Sequence, residues 1–130
     1  PLREPAAAAD LHLIFLLAPT STASRRAYVA KESGGFVYYV SITGITGAKL
    51  NDMAGVRDNV AKIRKHTKTP VAVGFGVATP EDAARVAETA DGVIVGSAIV
   101  RRVGEHGQDG RLVHEVGSFV RSLKAAMQPG

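Results

Sequence analysis

Short apolar runs alternate with longer amphipathic stretches along the whole of this chain. Four of the runs predict strands, over residues 11–17, 36–41, 71–73 and 92–95. The first run is apolar at nearly every position, which is typical of a strand covered on both faces. The pattern therefore predicts four buried, parallel strands, each followed by a helix.

Helix signals stand after each predicted strand. The clearest predicts a helix over residues 80–88, with Thr79 as N-cap, Pro80 at the first helical position and acidic residues in the first turn. Ser97 is predicted to cap a short helix over residues 98–103, followed by a polar loop over 104–110. Further helices are expected over residues 23–32, from Asn51 or Asp52 to about 66, and over 111–127. The last helix predicts an apolar, core-facing stripe: Leu112, Val113, Val116, Phe119, Val120 and Leu123.

The order of elements predicts an α/β fold. Parallel strands joined by right-handed helical crossovers suit four consecutive strand–helix units. Two of these units end in glycine and resemble each other, as expected in a (β/α)8 TIM barrel, which usually needs about 250 residues. At 130 residues, the chain holds four units. Residues 1–10 have the composition of a helix tail, interrupted at Pro5. We therefore expect residues 1–130 to form a single domain, the C-terminal half of such a barrel.

Composition narrows the class of protein further. The chain is 45% hydrophobic and has no cysteine, so disulfides and thiol chemistry are excluded and a cytoplasmic location is expected. The longest apolar run is too short to cross a bilayer, so we expect no membrane partner. The net charge is +4, but the basic residues are mixed with acidic and apolar ones and lack interleaved aromatic residues. We therefore expect no nucleic-acid partner.

Candidate chemistry lies where the predicted strands end, because ligands of parallel α/β folds bind there. Residues 74–76 and 96–97 follow the last two strands with glycine and exposed backbone N–H groups, an arrangement that favours a phosphate. The glycines alone also fit tight strand exits. The loop over residues 42–47 has the glycines of a lid, or of an ordinary surface loop.

Other candidates carry less chemistry. The four histidines lack metal-ligand spacing, so no metal site is expected; His12 is interpreted as a core or barrel residue and the others as surface residues. Asp91 precedes the fourth strand, at the edge that in barrels serves stability. Tyr38 lies either in the barrel interior or in ordinary core packing, depending on strand register. Neither a dinucleotide fingerprint nor a Walker A loop is present.

Four strings together resemble one family. They are LIFLLAPTST at residues 13–22, GFVYYVSITGITG at 35–47, PVAVGFGVATPEDA at 70–83 and ADGVIVGSAIV at 90–100. This combination is similar to the tryptophan synthase α subunit. The resemblance implies a TIM-barrel lyase of tryptophan biosynthesis that cleaves indole-3-glycerol phosphate to indole and glyceraldehyde 3-phosphate. It also implies a β-subunit partner that carries pyridoxal phosphate, with no cofactor in this subunit.

The resemblance assigns roles to residues of the matching strings. It implies that four residues hold the substrate phosphate: Gly47, Gly76, Gly96 and Ser97. It implies that four others contact the rest of the substrate: Tyr38, Thr46, Phe75 and Ile94. Phe75 and Ile94 would line the indole pocket, Tyr38 would reach the substrate from its strand, and Thr46 would lie on the closing lid.

One part of the family's machinery is expected outside this chain. The acid/base glutamate and its partner aspartate of the family belong to the other half of the barrel, so the sequence supplies no catalytic residue. We therefore expect the isolated chain to bind phosphate without turning over, and to pair with the missing N-terminal half-barrel or with itself. Two alternatives stay open: another phosphate-handling TIM barrel, such as a phosphoribosyl isomerase or a thiamine-phosphate synthase, and a half-barrel that serves as an inactive phosphate-binding or assembly module.

Overall fold

Helices and strands alternate as far as β4 in the computed structural model, which describes residues 1–41, 53–74 and 76–129. The strands of the described part are β1 (Leu16–Leu17), β2 (Val37–Val40), β3 (Val71–Gly74) and β4 (Gly92–Ile94). The helices there are α1 (Arg3–Ala8), α2 (Ala23–Glu32), α3 (Met53–Arg64), α4 (Pro80–Ala87), α5 (Ser97–His106) and α6 (Leu112–Met127). The predicted order of strand–helix units is confirmed.

The four strands form one parallel sheet in chain order, β1-β2-β3-β4. Each neighbouring pair is joined through a helix, as right-handed crossovers require. Because all four strands run in the same direction, their carboxyl ends lie along one edge of the sheet. We call this the C-terminal edge, and it is where the predicted site residues fall.

The two faces of the sheet differ in burial. Leu17, Tyr39 and Val73 share a register row on the face that the helices cover, and each is at most 2% exposed. The row beside it, which includes Leu16 and Tyr38, lies on the opposite face, here called the open face. Leu16 is 53% exposed, so the prediction that the first strand is covered on both faces is wrong for this chain.

The first predicted strand is also much shorter than its apolar run. Only Leu16–Leu17 joins the ladder, although residues 11–17 were expected to do so. The preceding residues run beside the α2–β2 turn: the Phe15 N–H donates to Ser33 Oγ at 3.1 Å, and the Leu13 carbonyl accepts from the Gly34 N–H at 2.9 Å. These bonds replace ladder bonds, because β2 begins only after that turn.

His12 lies on the surface of this turn. Its side chain is exposed, and a Cβ added to Gly34 would lie 2.8 Å from His12 Nδ1. The interpretation of His12 as a core histidine is therefore wrong. The ring covers the turn from outside, and a side chain at position 34 would clash with it there.

The capping and stop residues predicted the bounds of α2 and α4 closely. Helix α2 has the predicted bounds, and α4 ends one residue early. Thr79 Oγ1 accepts from the Asp82 N–H and the Asp82 side chain bonds back to the Thr79 N–H, which forms a full capping box. Helix α1 continues through Pro5, contrary to the predicted interruption, because a proline in the first turn removes no intrahelical bond.

Helix α5 departs from its prediction at both ends. It begins at Ser97 itself, with Gly96 as N-cap and no side-chain cap bond, so Ser97 is not the cap. It continues to His106, so the first three residues of the predicted polar loop over 104–110 are helical. The residues expected to cap α3, Asn51 and Asp52, lie outside the described residues.

Helix α6 packs against α4 and α5. Phe119 and Leu123 are buried, as predicted, but Val113 is 86% exposed and Val120 is 42% exposed. The apolar stripe is therefore wider than the surface that these two helices cover. In the part of the chain that the structure describes, no helix is long and apolar enough to cross a membrane.

Candidate functional site

The candidate site is built on the C-terminal edge of β2, β3 and β4. Val40, Gly74 and Ile94 form the last register row there. Each lies two residues beyond a member of the row containing Tyr38 and Ala72, so their side-chain positions belong to the open face. The structure thus brings Tyr38, Ile94 and the glycines that follow β3 and β4 to one side of the sheet.

Two glycines at this edge are exposed to open space. Gly76 has a φ of +58°, in the left-handed region where glycine is favoured. A Cβ added to Gly76 or to Gly96 would meet nothing within 4 Å. Among the described residues, packing therefore leaves room in front of both backbones. Such room is what a phosphate needs to approach main-chain N–H groups closely.

The N-terminus of α5 begins at this open position, because Gly96 is the N-cap of the helix and Ser97 is its first residue. The Gly96 carbonyl accepts from the Ile99 and Val100 N–H groups, at 2.9 and 3.1 Å. The N–H groups of the first turn before them have no intrahelical acceptor. The N-cap Gly96 has no side chain to cap this helix, and Ser97 is exposed at the first helical position. The arrangement can donate several hydrogen bonds to an anion and places it at the positive end of the helix dipole.

Tyr38 reaches the same edge across β3. A Cβ added to Gly74 would lie 2.6 Å from Tyr38 Oη, so the ring lies over the Gly74 backbone. Tyr38 is half-buried on the open face, whereas its neighbour Tyr39 is in the core on the covered face. The register therefore decides between the two interpretations of Tyr38: its side chain belongs to the face on which the site lies.

Ile94 is half-buried on the same face as Tyr38, two register positions further along the sheet. It lines one end of a shallow cavity of about 400 Å³ along the open face. The other end reaches Asp91 and Pro70, at the opposite edge of the sheet. The cavity therefore offers an apolar surface beside the site. Gly76, Gly96 and the first turn of α5, together called the phosphate end, do not line it.

Three of the predicted site residues, Thr46, Gly47 and Phe75, lie outside the described residues, as does the predicted lid over residues 42–47. Their roles stay predictions. Among the described residues, no group of three histidines or acidic residues could hold a metal ion.

The carboxylates near the sheet have structural partners. Asp82 Oδ2 accepts from the Ala78 and Thr79 N–H groups at the start of α4. Asp91 Oδ2 lies at the opposite edge, accepts from the Val71 N–H at 2.9 Å and pairs with Arg64 at 3.0 Å. The Val71 hydrogen bond, followed by Arg64, holds the pKa of Asp91 below its usual value. The position of Asp91 agrees with the stabilising role expected from the sequence.

Arg102 makes a contact that the sequence does not indicate. Its guanidinium carbon lies 3.4 Å from the centre of the Phe119 ring. Its NH1 group also donates to the Ala98 carbonyl at 3.0 Å. No local signal reports this contact, because Phe119 lies on a different helix.

Comparison with known proteins then identifies the family. The family model described as "Tryptophan synthase alpha chain" matches residues 1–128. The chain belongs to this family. It is 51% identical to the tryptophan synthase alpha chain of Geobacter sulfurreducens over 124 residues, which cover 93% of this chain and 47% of that relative. Against the alpha chain of Geobacter sp. M21 it is 46% identical over 120 residues, or 92% and 45% of the two chains.

Solved structures of the family agree with the fold. A tryptophan synthase structure from Mycobacterium tuberculosis matches 98% of this chain with a TM-score of 0.80 and 37% identity, and the match covers 46% of that chain. The alpha subunit from Legionella pneumophila matches 93% of this chain with a TM-score of 0.76 and 31% identity. The four-stranded sheet therefore has the fold of part of the tryptophan synthase alpha TIM barrel. The chain spans about half the length of the curated relatives that it matches.

Proposed function

We propose that this chain supplies the phosphate-binding side of the α reaction of tryptophan synthase, the cleavage of indole-3-glycerol phosphate to indole and glyceraldehyde 3-phosphate. The observation that supports this proposal is the pair of glycines that follow neighbouring strands: Gly96 begins α5 without a side-chain cap, and Gly76 has a left-handed backbone. Family membership supports the substrate, because an anion site alone does not distinguish one phosphate ester from another. The protein then acts as a carbon–carbon lyase in tryptophan biosynthesis.

The residues of this chain bind and orient the substrate. Backbone N–H groups at Gly76, Gly96 and Gly47, with the Ser97 hydroxyl, hold the phosphate and so fix one end of the molecule. Ile94, with Phe75, lines the indole pocket. Tyr38 extends over Gly74 toward the glycerol portion, and Thr46 acts from the lid.

Breaking the carbon–carbon bond needs a proton delivered to the indole ring and another removed from a glycerol hydroxyl. Positioned carboxylates serve such transfers. Asp82 and Asp91 are engaged with backbone N–H groups, and Asp91 lies at the wrong edge. We assign the acid/base glutamate and its partner aspartate to the other half of the barrel, and place residues 1–130 as one domain in the C-terminal half.

Partners follow from the same proposal. The open face and the edge strands β1 and β4 would pair with the N-terminal half-barrel. The completed α subunit would pass indole to a β subunit that holds pyridoxal phosphate, and would itself need no cofactor. We place both subunits in the cytoplasm, where this biosynthesis draws on soluble intermediates.

Two measurements on the purified chain test the proposal. Titration with inorganic phosphate, followed by phosphorus NMR, is expected to show saturable binding. Incubation with indole-3-glycerol phosphate is expected to release no indole. Indole release by the chain alone would overturn the assignment of the acid/base residues to the other half of the barrel. Absence of phosphate binding would overturn the assignment of the phosphate site to this chain.

A chimera tests the substrate. The part of the Geobacter sulfurreducens relative that precedes the matched segment is joined to this chain, since the two are 51% identical where they align. The chimera is expected to release indole from indole-3-glycerol phosphate. A folded chimera that binds phosphate without releasing indole would contradict the assigned reaction.

A second candidate function is an assembly module that pairs with another copy of itself. The 53% exposure of Leu16 on the open face favours it, because that face needs a cover. Sedimentation of the isolated chain separates the candidates: a dimer that the N-terminal half-barrel does not dissociate supports the assembly module.

A further inference from the structure

Arg102 connects two helices that meet behind the phosphate end. Its guanidinium stacks on the Phe119 ring of α6, with 3.4 Å between the guanidinium carbon and the ring centre. Its NH1 group donates to the Ala98 carbonyl at 3.0 Å. Phe119 is 7% exposed and Ala98 is 6% exposed, so both ends of the connection are anchored in the packed interior.

The hydrogen bond from Arg102 ends in the first turn of α5, at the proposed phosphate site. Ala98 is the second residue of the helix, in the turn that follows Gly96, where an added Cβ would meet nothing within 4 Å. The first turn of a helix lacks half of its intrahelical bonds and frays most easily. A side chain that ties this turn to α6 therefore limits fraying where the direction of the N–H groups matters.

The planar guanidinium suits this task. It stacks on an aromatic face and donates hydrogen bonds in its own plane at the same time, whereas a lysine ammonium offers only a point charge. Arg101 provides an internal comparison, because it stands next in the chain, carries the same charge and is exposed.

We infer that Arg102 is a positioning residue of the phosphate end, which pre-orders the first turn of α5 through its stack on Phe119. The inference rests on the proposed phosphate binding and extends it to a residue that does not touch the ligand. Pre-ordering raises affinity because the turn need not be ordered when the anion binds.

The first test compares two charge-matched variants of the purified chain. Arg102→Met keeps an unbranched apolar stem over Phe119 but loses the guanidinium, and Arg101→Met removes the same charge from the exposed position. Inorganic phosphate is titrated at constant ionic strength. We expect Arg102→Met to weaken binding about fivefold, the size of one typical hydrogen bond, and Arg101→Met to weaken it less than about twofold. Equal losses in both variants would mean that Arg102 contributes only charge, and would overturn the inference.

A second test needs no ligand. Amide hydrogen exchange at Ile99 and Val100 reports the bonds that these groups make to the Gly96 carbonyl. Arg102→Met is expected to accelerate their exchange about fivefold relative to amides in β3, while Arg101→Met leaves it unchanged. Unchanged exchange in Arg102→Met overturns the inference. If wild type binds no phosphate, the proposed function fails, and this measurement still decides whether Arg102 orders the turn.

Two further variants separate stacking from simple packing. Arg102→Lys keeps the charge and is expected to restore less than half of the lost affinity, because it cannot stack and donate together. Phe119→Leu keeps an apolar side chain in the core and removes the ring. If the stacking of Arg102 on Phe119 is responsible for the lost affinity, the double variant Phe119→Leu/Arg102→Met binds phosphate no more weakly than the weaker-binding of the two single variants. Additive losses would contradict the proposed route through Phe119.

Discussion

The ring of Tyr38 occupies the space in which a side chain on Gly74 would begin. A Cβ on Gly74 would lie 2.6 Å from both Cε2 and Oη of the tyrosine, closer than non-bonded atoms approach. The two residues stand on neighbouring strands, two register positions apart and on the same face, at the edge that carries the candidate site. The tyrosine hydroxyl can therefore lie at this position because residue 74 has no side chain.

Gly74→Ala is therefore expected to destabilise the chain by about 1–3 kcal/mol, the usual cost of overpacking. Tyr38→Ala removes the ring and should relieve most of that cost. Urea unfolding of the two single variants and the double variant measures the coupling, which we expect to be at least about 1 kcal/mol. Fully additive effects would show that the ring turns away without cost.

Asp91 is expected to make stability sensitive to acid. Its folded-state pKa is lowered, chiefly by the Val71 N–H and also by Arg64, so its contribution is present above the unfolded pKa of about 3.9 and is lost as the pH falls through the folded value. Urea unfolding from about pH 5 down to pH 3 should lose stability more steeply in wild type than in Asp91→Asn. Arg64→Met should keep most of this dependence of stability on pH, since the Val71 hydrogen bond lowers the pKa of Asp91 more than Arg64 does. Equal slopes in wild type and Asp91→Asn would contradict this.

Asp91→Ala tests the hydrogen bond itself. Val71 is fully buried, and the substitution removes the acceptor of its N–H group. We expect a loss of about 1–3 kcal/mol at neutral pH, the cost of leaving a buried donor without its partner. Asp91→Asn keeps an acceptor oxygen and should cost less, and thermal unfolding of the two variants compares them.

Two glycines near the end of α5 should respond in opposite ways to alanine. Gly104 lies inside the helix, and a Cβ there would meet nothing within 4 Å. Gly104→Ala should therefore stabilise the chain by about 0.5–1 kcal/mol through lower backbone entropy in the unfolded state. A Cβ on Gly107 would lie 2.8 Å from the Val103 carbonyl oxygen, so Gly107→Ala should destabilise. Thermal unfolding checks the sign of each change.

Gly96→Val should weaken phosphate binding while the chain stays folded. A Cβ there meets no described atom within 4 Å, so a branched side chain has room but fills the space before the α5 N–H groups. Loss of one charge-assisted hydrogen bond, about 1.5–3 kcal/mol, corresponds to roughly a tenfold or greater loss of affinity. Gly96→Ala is the smaller matched change and Gly104→Ala the control on the same helix. Unchanged phosphate affinity in a folded Gly96→Val variant would place the anion elsewhere.

The parts of the site that could be predicted are those with local signals. Glycines directly after β3 and β4 are visible in the sequence, and parallel strand order brings them to one edge. The stack of Arg102 on Phe119 could not be predicted, because it depends on how α5 and α6 pack. The exposure of Val113 has the same origin: helical spacing marks an apolar stripe but not the width of the surface that covers it.

The sequence by itself determined the order of elements, the capping box of α4, the bounds of α2 and the family resemblance, because each depends on neighbouring residues or on matching strings. The tertiary structure decided that β1 keeps only Leu16–Leu17, that Ser97 begins α5 instead of capping it, and that Tyr38 lies on the open face. These outcomes depend on which backbone groups and side chains meet across elements. A run of apolar residues favours a strand, but only a neighbouring strand in register makes one.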